Sequence, residues 1–255
     1  MPDTFTLRND PDGLAVEHGG QFHYLGHWRH PRDGKFARLW QVAVGARADV
    51  ATMLERLDLV RLDARLSDAA KRDDEKDLAR KALRELGDRQ RVISDEAAKI
   101  DAERLKLAEV PPADAAQAVV DVALAELFRG LSGPEREVMT AALVGGSQQR
   151  MVDAALRLPA VLFGLTPEVR AVIESNALAR SAPGAVSEME ERGAALRTAQ
   201  QVVSRAVALV VQSSALSLEE RMVDLGSGAW QPHVREGDPG AMAALARHYG
   251  VEQAA

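Results

Sequence analysis

The sequence predicts a mainly α-helical protein with a small N-terminal antiparallel β-module, a long charged helical arm or helical hairpin, and a C-terminal bundle of helices. Three observations lead to this prediction. Aromatic residues and turn signals concentrate in residues 1–48, residues 49–110 contain no proline and are densely charged, and residues 111–255 are rich in alanine and in helix-capping patterns. We therefore expect these three ranges to be the domains of the chain.

Residues 1–48 predict a meander of three or four short strands. They hold six of the ten aromatic residues, and their apolar residues alternate between turns rich in Gly, Pro and Asp, which is typical of half-buried antiparallel strands. The last predicted strand holds Phe36, Trp40, Val42 and Val44. A module this small needs a packing partner, so we expect its aromatic side chains to contact a helix or a neighbouring subunit. The candidate contact residues are Phe22, Tyr24, Trp28 and Trp40.

Residues 49–110 predict an elongated helical arm. Their 16 acidic and 14 basic residues interleave, which suits pairs three or four residues apart on a helix surface. A straight helix of this length would span about 90 Å, whereas a fold at the charged stretch 71–77 or at Gly87 would make a hairpin. Both possibilities remain open, and in either case the arm has too few apolar residues to form its own globule.

A set of apolar residues in the arm recurs every seven positions, the spacing of a coiled-coil seam. The candidate interaction residues of this seam are Leu86, Ile93, Ile100 and Leu107. Their companion seam positions are mostly polar, so the partner and the register remain open. We expect the seam to dock the arm on a neighbouring subunit.

Residues 111–255 predict short capped helices. Pro111-Pro112 ends the arm, and the predicted helix starts are a capping box at Ser132 and Glu135, an N-cap at Thr166 followed by Pro167, and a second capping box at Ser217 and Glu220. Gly145-Gly146 separates two helices, and residues 181–184 are a candidate hinge. A longer helix is expected over about Ala185–Leu216, and a terminal helix from Asp238 to Gly250.

Composition excludes several classes of protein. The net charge is −6, which argues against a generally basic nucleic-acid or membrane-surface binder. There is no cysteine, so disulfides, thiol nucleophiles and cysteine-ligated metals are excluded. The first ten residues do not resemble a signal peptide, and the longest apolar run is far below the roughly 20 residues of a membrane helix. We therefore expect a cytoplasmic or virion protein with no membrane partner and no specific nucleic-acid ligand.

The histidines give the most suggestive cluster, since four of the six lie between His18 and His30. On a strand, however, residues four apart are separated by roughly 13 Å, too far to share one ion. The chain also lacks a phosphate loop, a dinucleotide fingerprint, a zinc-protease motif, a nucleophile elbow and the kinase signatures. We therefore predict a non-enzymatic protein with no metal and no cofactor.

The segment from Met151 to Arg170 reads MVDAALRLPAVLFGLTPEVR. It resembles passages in proteins encoded among tailed-bacteriophage head and tail genes, where an alanine- and leucine-rich helix, a proline, an apolar stretch and a capped helix follow one another. The resemblance implies a structural or assembly protein of a virion, present in several copies around a symmetric axis. It carries no catalytic motif, and no functional residue is transferred from it.

Together these features favour a structural or assembly component of a large protein complex that acts through helix packing, with itself and other assembly proteins as partners. Two alternatives remain. One is a regulatory or scaffolding adaptor that binds a different protein through the same arm. The other is a metal-dependent enzyme that uses the N-terminal histidines.

Overall fold

The computed structural model describes residues 12–216 and confirms the predicted fold class. Within these residues the chain forms two antiparallel strands and eight α-helices. The strands are β1 (Gly13–His18) and β2 (Gln21–His27), and the helices are α1 (Ala37–Leu62), α2 (Asp68–Ala108), α3 (Ala115–Gly130), α4 (Gly133–Gly145), α5 (Gln149–Arg157), α6 (Ala160–Phe163), α7 (Pro167–Ser181) and α8 (Pro183–Ser213). The predicted capping box at Ser217 and the predicted helix 238–250 lie outside the described residues.

The chain divides into two compact units. Among the described residues, unit 1 comprises residues 12–99 and 191–216, and unit 2 comprises residues 100–190. The three ranges predicted as domains do not map one to one onto these units. The β-module and most of the charged arm share unit 1 with the second half of α8, which the sequence places in the C-terminal zone.

The two strands form a tight hairpin. Gly19 and Gly20 both have positive φ, 59° and 75°, as a two-residue turn of the type that matches strand twist requires. The turn predicted at this point is therefore confirmed. β1 pairs with β2 so that Val16 lies opposite His23.

The predicted strand over Phe36–Val44 is wrong, because helix α1 begins at Ala37, directly after Phe36. Phe36, Trp40 and Val44 are spaced by four residues, which satisfies both a two-residue and a helical period. All three side chains pack against the core of unit 1. Only two strands therefore form within residues 12–216, rather than three or four.

The arm is a helical hairpin, α1 followed by α2, and the chain turns at residues 63–67 rather than at 71–77 or Gly87. The Asp63 carboxylate accepts hydrogen bonds from the backbone and side chain of Arg65. The Ser67 hydroxyl accepts a hydrogen bond from the amide of Ala70, as an N-cap does. The two helices are antiparallel, with ion pairs from Arg61 to Glu75 and, further from the turn, between α1 and Arg89 of α2.

The core of unit 1 joins the β-hairpin, α1, α2 and the second half of α8. Helix α8 places a stripe of small residues at helical spacing in this core, namely Ala195, Ala199, Val202, Val203, Ala206, Val207 and Val210. Alanines of α1 and α2 are also buried there, so the helices can approach closely. The arm, which lacks a core of its own, therefore packs on other elements of the same chain.

Unit 2 has a separate core formed by helices α3 to α7. The predicted helix starts are confirmed: Glu135 accepts a hydrogen bond from the amide of Ser132, and Thr166 accepts one from the amide of Val169. Gly146 ends α4 with φ 77°, the left-handed conformation that favours glycine at this position. The boundary between α7 and α8 falls at the residues predicted as a hinge.

Candidate functional site

Helix α3 of unit 2 carries apolar side chains on the side that faces solvent. Val119 is 71% exposed, Val122 47% and Leu127 56%, and Ala123 is also exposed. Val119, Ala123 and Leu127 are four residues apart and therefore share one side of the helix. We call these four residues the α3 outer face.

The opposite side of α3 is fixed in the core of unit 2. Phe128 is buried with its ring 5.6 Å from that of Phe163. Asp121 is also buried and accepts two hydrogen bonds from Arg157, at 2.7 and 2.9 Å. Apolar packing and a paired charge thus set the rotation of the helix, which leaves the α3 outer face directed to solvent.

The charged residues on the two sides of α3 have different surroundings. Hydrogen bonding to Asp121 raises the pKa of Arg157 above its usual range, so the guanidinium of Arg157 keeps its positive charge beside Asp121. On the solvent side Glu126 is exposed and lies seven residues after Val119, near the same line along the helix. The α3 outer face is therefore apolar with one carboxylate, and can pack against an apolar surface that supplies a hydrogen-bond donor or a cation.

Unit 2 also contains an open cavity of about 730 Å³, lined in part by Asp121, Arg157 and Arg170. Asp121 and Arg157 bind each other, as described above. The guanidinium of Arg170 donates hydrogen bonds to the carbonyl groups of Ala155, Leu156 and Leu158, the groups that the end of helix α5 leaves without helical partners. These polar groups thus stabilise the fold of unit 2, and they are not arranged as a nucleophile beside a base.

The four seam residues predicted in the arm lie in different environments. Leu86 and Ile93 are buried in the core of unit 1, so packing within a single chain accounts for both. Ile100 is half-buried, and Leu107, which belongs to unit 2, is 43% exposed. Docking of this seam on a neighbour stays a prediction, and only its C-terminal part offers accessible apolar surface.

The aromatic residues of the β-module contact helix residues of the same unit. Trp28 is completely buried, with its ring 5.4 Å from Trp40, and the Arg32 guanidinium lies 4.6 Å from the centre of the Trp40 ring. The guanidinium of Arg205 lies 5.6 Å from the centre of the Tyr24 ring. The module thus packs on helices of the same unit, one of the two partners expected for it. Phe22 is half-buried, and an interaction of these aromatic residues with another subunit stays a prediction.

The histidines near the N-terminus do not converge on one site, although the rings of His18 and His23 lie 6.4 Å apart. His18 Nε2 lies 3.0 Å from Asp58 Oδ1, and His30 Nε2 lies 3.1 Å from the Thr198 hydroxyl. Burial is the main cause that lowers the pKa of His30, with Arg197 acting in the same direction and Glu191 opposing it. Within residues 12–216, no three His, Asp or Glu side chains come together in a group that could hold a metal ion.

Comparison with protein-family models, curated proteins and solved structures gave no match for this chain. In the part of the chain that the structure describes, no helix combines the length and the apolar character needed to cross a membrane. Function is therefore inferred from the chain's own residues.

Sequence reasoning did not single out the α3 outer face, although its signal is present. Only three of the 16 residues of α3 are charged: Asp121, Glu126 and Arg129. One of the three is buried in an ion pair, so few charges remain for the solvent side. A helix with apolar residues on all sides is normally buried on all sides. Once the helix bounds are known, an apolar side that the fold leaves exposed is therefore a candidate contact surface.

Proposed function

We propose that this chain is a non-enzymatic structural component of a large protein assembly, of the kind that builds a tailed-bacteriophage head or tail. The observation that carries the proposal is the α3 outer face, an apolar side of a helix whose other side is already fixed in a core. In this proposal, the α3 outer face of each copy packs against a neighbouring copy, in a contact that repeats around a symmetry axis.

The α3 outer face supplies part of the free energy of a subunit contact, since association itself costs roughly 4–15 kcal/mol. Completing the burial of one Val or Leu side chain contributes about 1.5–3 kcal/mol at most, and less where the side chain is already partly covered. Val119, Val122 and Leu127 together therefore offer on the order of 3–5 kcal/mol on each subunit. A contact that repeats around a symmetry axis adds such contributions over many copies.

The resemblance of Met151–Arg170 to phage head and tail proteins supports the same class of function. This segment forms α5, α6 and the start of α7, and Phe163 within it contacts Phe128 of α3. In the proposed role, the segment supports α3 from inside unit 2 while α3 makes the contact between subunits.

The test is the mass of the chain in solution, measured by sedimentation velocity over a wide range of protein concentrations. We expect the wild-type chain to form species larger than a dimer. The double variant Val119→Glu/Leu127→Glu should lose these species, because two carboxylates cannot be buried in an apolar contact without a large desolvation cost. Both positions are exposed, so circular dichroism should show an unchanged helix content.

A matched control adds the same charge elsewhere. Gln41→Glu/Ala98→Glu changes two exposed helix positions of unit 1 and should keep the large species. Equal masses for the wild-type chain and the α3 variant would contradict the proposal. A wild-type chain that never exceeds a dimer would also contradict it, and would favour the adaptor that binds a different protein.

A further inference from the structure

The open cavity of unit 2 contains a carboxylate that the described fold leaves without a partner. Glu174 of α7 lines this cavity and is half-buried. Within residues 12–216, its carboxylate makes no hydrogen bond and no ion pair. A carboxylate that is partly withdrawn from water carries a free-energy cost until a cation or a hydrogen-bond donor reaches it.

Arg170 is the nearest basic residue along the helix, but other groups occupy its donors. It lies one turn before Glu174, at the spacing that often gives an ion pair. Its guanidinium instead donates hydrogen bonds to the carbonyl groups of Ala155, Leu156 and Leu158. The end of helix α5 therefore holds Arg170, and the Glu174 carboxylate remains available to a ligand.

The other charged residues of the cavity offer less to a ligand. Arg157 donates two hydrogen bonds to the buried Asp121, so an anionic ligand would have to compete with Asp121 for this guanidinium. Lys106 and Glu109 are exposed and have opposite charges, and exposed ion pairs contribute little. A ligand that pairs with Glu174 is therefore positively charged.

The rest of the lining indicates the body of such a ligand. Apart from the six charged residues, the described lining consists of leucine, valine, proline and alanine, with no aromatic ring and no hydroxyl or amide side chain. Quaternary ammonium groups and planar bases are normally bound against aromatic rings. The lining therefore suits a hydrocarbon chain. The volume of about 730 Å³ is typical of a small-molecule site.

We propose that this cavity binds a small aliphatic amine. The protonated amino group donates hydrogen bonds to the carboxylate of Glu174, and the hydrocarbon chain lies against aliphatic side chains such as Leu156 and Leu158. All lining residues belong to unit 2, and none of them is part of the α3 outer face. The proposal therefore does not depend on assembly of the chain.

Isothermal titration calorimetry of the full chain with hexylamine at neutral pH tests the proposal. We expect one saturable site in the wild-type chain. Glu174→Gln should weaken hexylamine binding about tenfold, because the amide keeps the size of the carboxylate and loses its charge. Glu137→Gln is the matched control, since it removes an exposed carboxylate of unit 2 that does not line the cavity. It should bind hexylamine as the wild-type chain does.

Two further ligands separate the contributions of charge and hydrocarbon. Hexan-1-ol has no charge and should bind the wild-type and Glu174→Gln chains with similar affinity, which also shows that the variant is folded. Butylamine should bind the wild-type chain more weakly than hexylamine, by up to about fourfold for each methylene group removed.

A lysine side chain of another protein presents the same chemistry, and Nα-acetyl-lysine methylamide tests this source. It should bind more weakly than hexylamine, because the lining has no hydroxyl or amide side chain for its two peptide groups. Tighter binding of the lysine derivative would overturn the assignment to a small amine. Absence of hexylamine binding would overturn the site, and so would equal hexylamine affinities of the wild-type and Glu174→Gln chains.

Discussion

At the scale of single residues, one glycine permits a partly buried ion pair in unit 1. Asp49 accepts a hydrogen bond of 3.0 Å from Arg89, and the two side chains are only 15% and 29% exposed. A Cβ atom at Gly45 would overlap the guanidinium of Arg89. The pair therefore forms in this place because residue 45 of α1 has no side chain.

We expect Gly45→Ala to lower the free energy of unfolding by about 1–2 kcal/mol, since displacing Arg89 leaves Asp49 partly buried without its partner. The gain in helix propensity, about 1 kcal/mol, offsets only part of this loss. Gly130→Ala is the matched control, because nothing lies within 4 Å of the added Cβ, and it should not destabilise the chain. Urea unfolding measures both, and a Gly45→Ala variant at least as stable as wild type would refute this account.

His30 gives a prediction on pH. Burial is the largest cause that lowers its pKa below the ordinary value of 6.5, so the unfolded chain binds a proton more readily than the folded chain. Its contribution to stability is then fully present above about pH 6.5 and is lost as the pH falls through the lower folded pKa. The unfolding free energy should fall less between about pH 7 and 5.5 in His30→Gln than in wild type. If the unfolding free energies of the two chains change in parallel with pH, His30 does not contribute to this pH dependence.

Some residue-scale features were accessible from sequence and others were not. The caps at Ser132 and Thr166 were predicted because a cap depends on side chains three residues apart. Phe36, Trp40 and Val44 were assigned to a strand because their spacing fits two periods at once. The role of Gly45 depends on which residue of α2 lies above it, and no local pattern contains that information.

At the scale of elements, helix α2 shows how one seven-residue repeat can pass through different environments. Ile93 is 2% exposed in the core of unit 1, whereas Leu107 is largely accessible. The heptad spacing was read correctly as helical, but a repeat does not reveal whether its partner belongs to the same chain. The turn at 63–67 was missed because its signals are two single polar residues, Asp63 and Ser67, within a densely polar stretch.

This difference along α2 predicts opposite results for similar truncations. Ile93→Ala should lower the free energy of unfolding by about 2–4 kcal/mol, because it leaves a cavity in the core. Leu107→Ala should change it by less than about 0.5 kcal/mol. Urea denaturation measures the free energy of unfolding of both variants. Equal losses in the two would contradict the difference in burial between Ile93 and Leu107.

At the scale of the whole molecule, unit 1 is completed by chain segments far apart in sequence. The hairpin α1–α2 is joined in one core by the second half of α8, which returns after the roughly 90 residues of unit 2. Composition divides a chain only into consecutive zones, so it could not reveal this arrangement. The arm was predicted to need a partner, and for much of its length the β-hairpin and α8 of the same chain meet that need.

Burial within a single chain also limits where contacts between subunits can form. Side chains that a single chain already buries, such as Leu86 and Trp28, are accounted for by the fold. Apolar side chains that the fold leaves exposed remain available, and the proposal uses three of them that share helix α3, Val119, Val122 and Leu127.

The most direct test of this account is the sedimentation mass of the wild-type chain beside that of Val119→Glu/Leu127→Glu. We expect species larger than a dimer for the wild-type chain and the loss of these species in the variant, with the same helix content in both. A wild-type chain that never exceeds a dimer at any concentration would contradict the central claim that this protein is built to assemble with copies of itself.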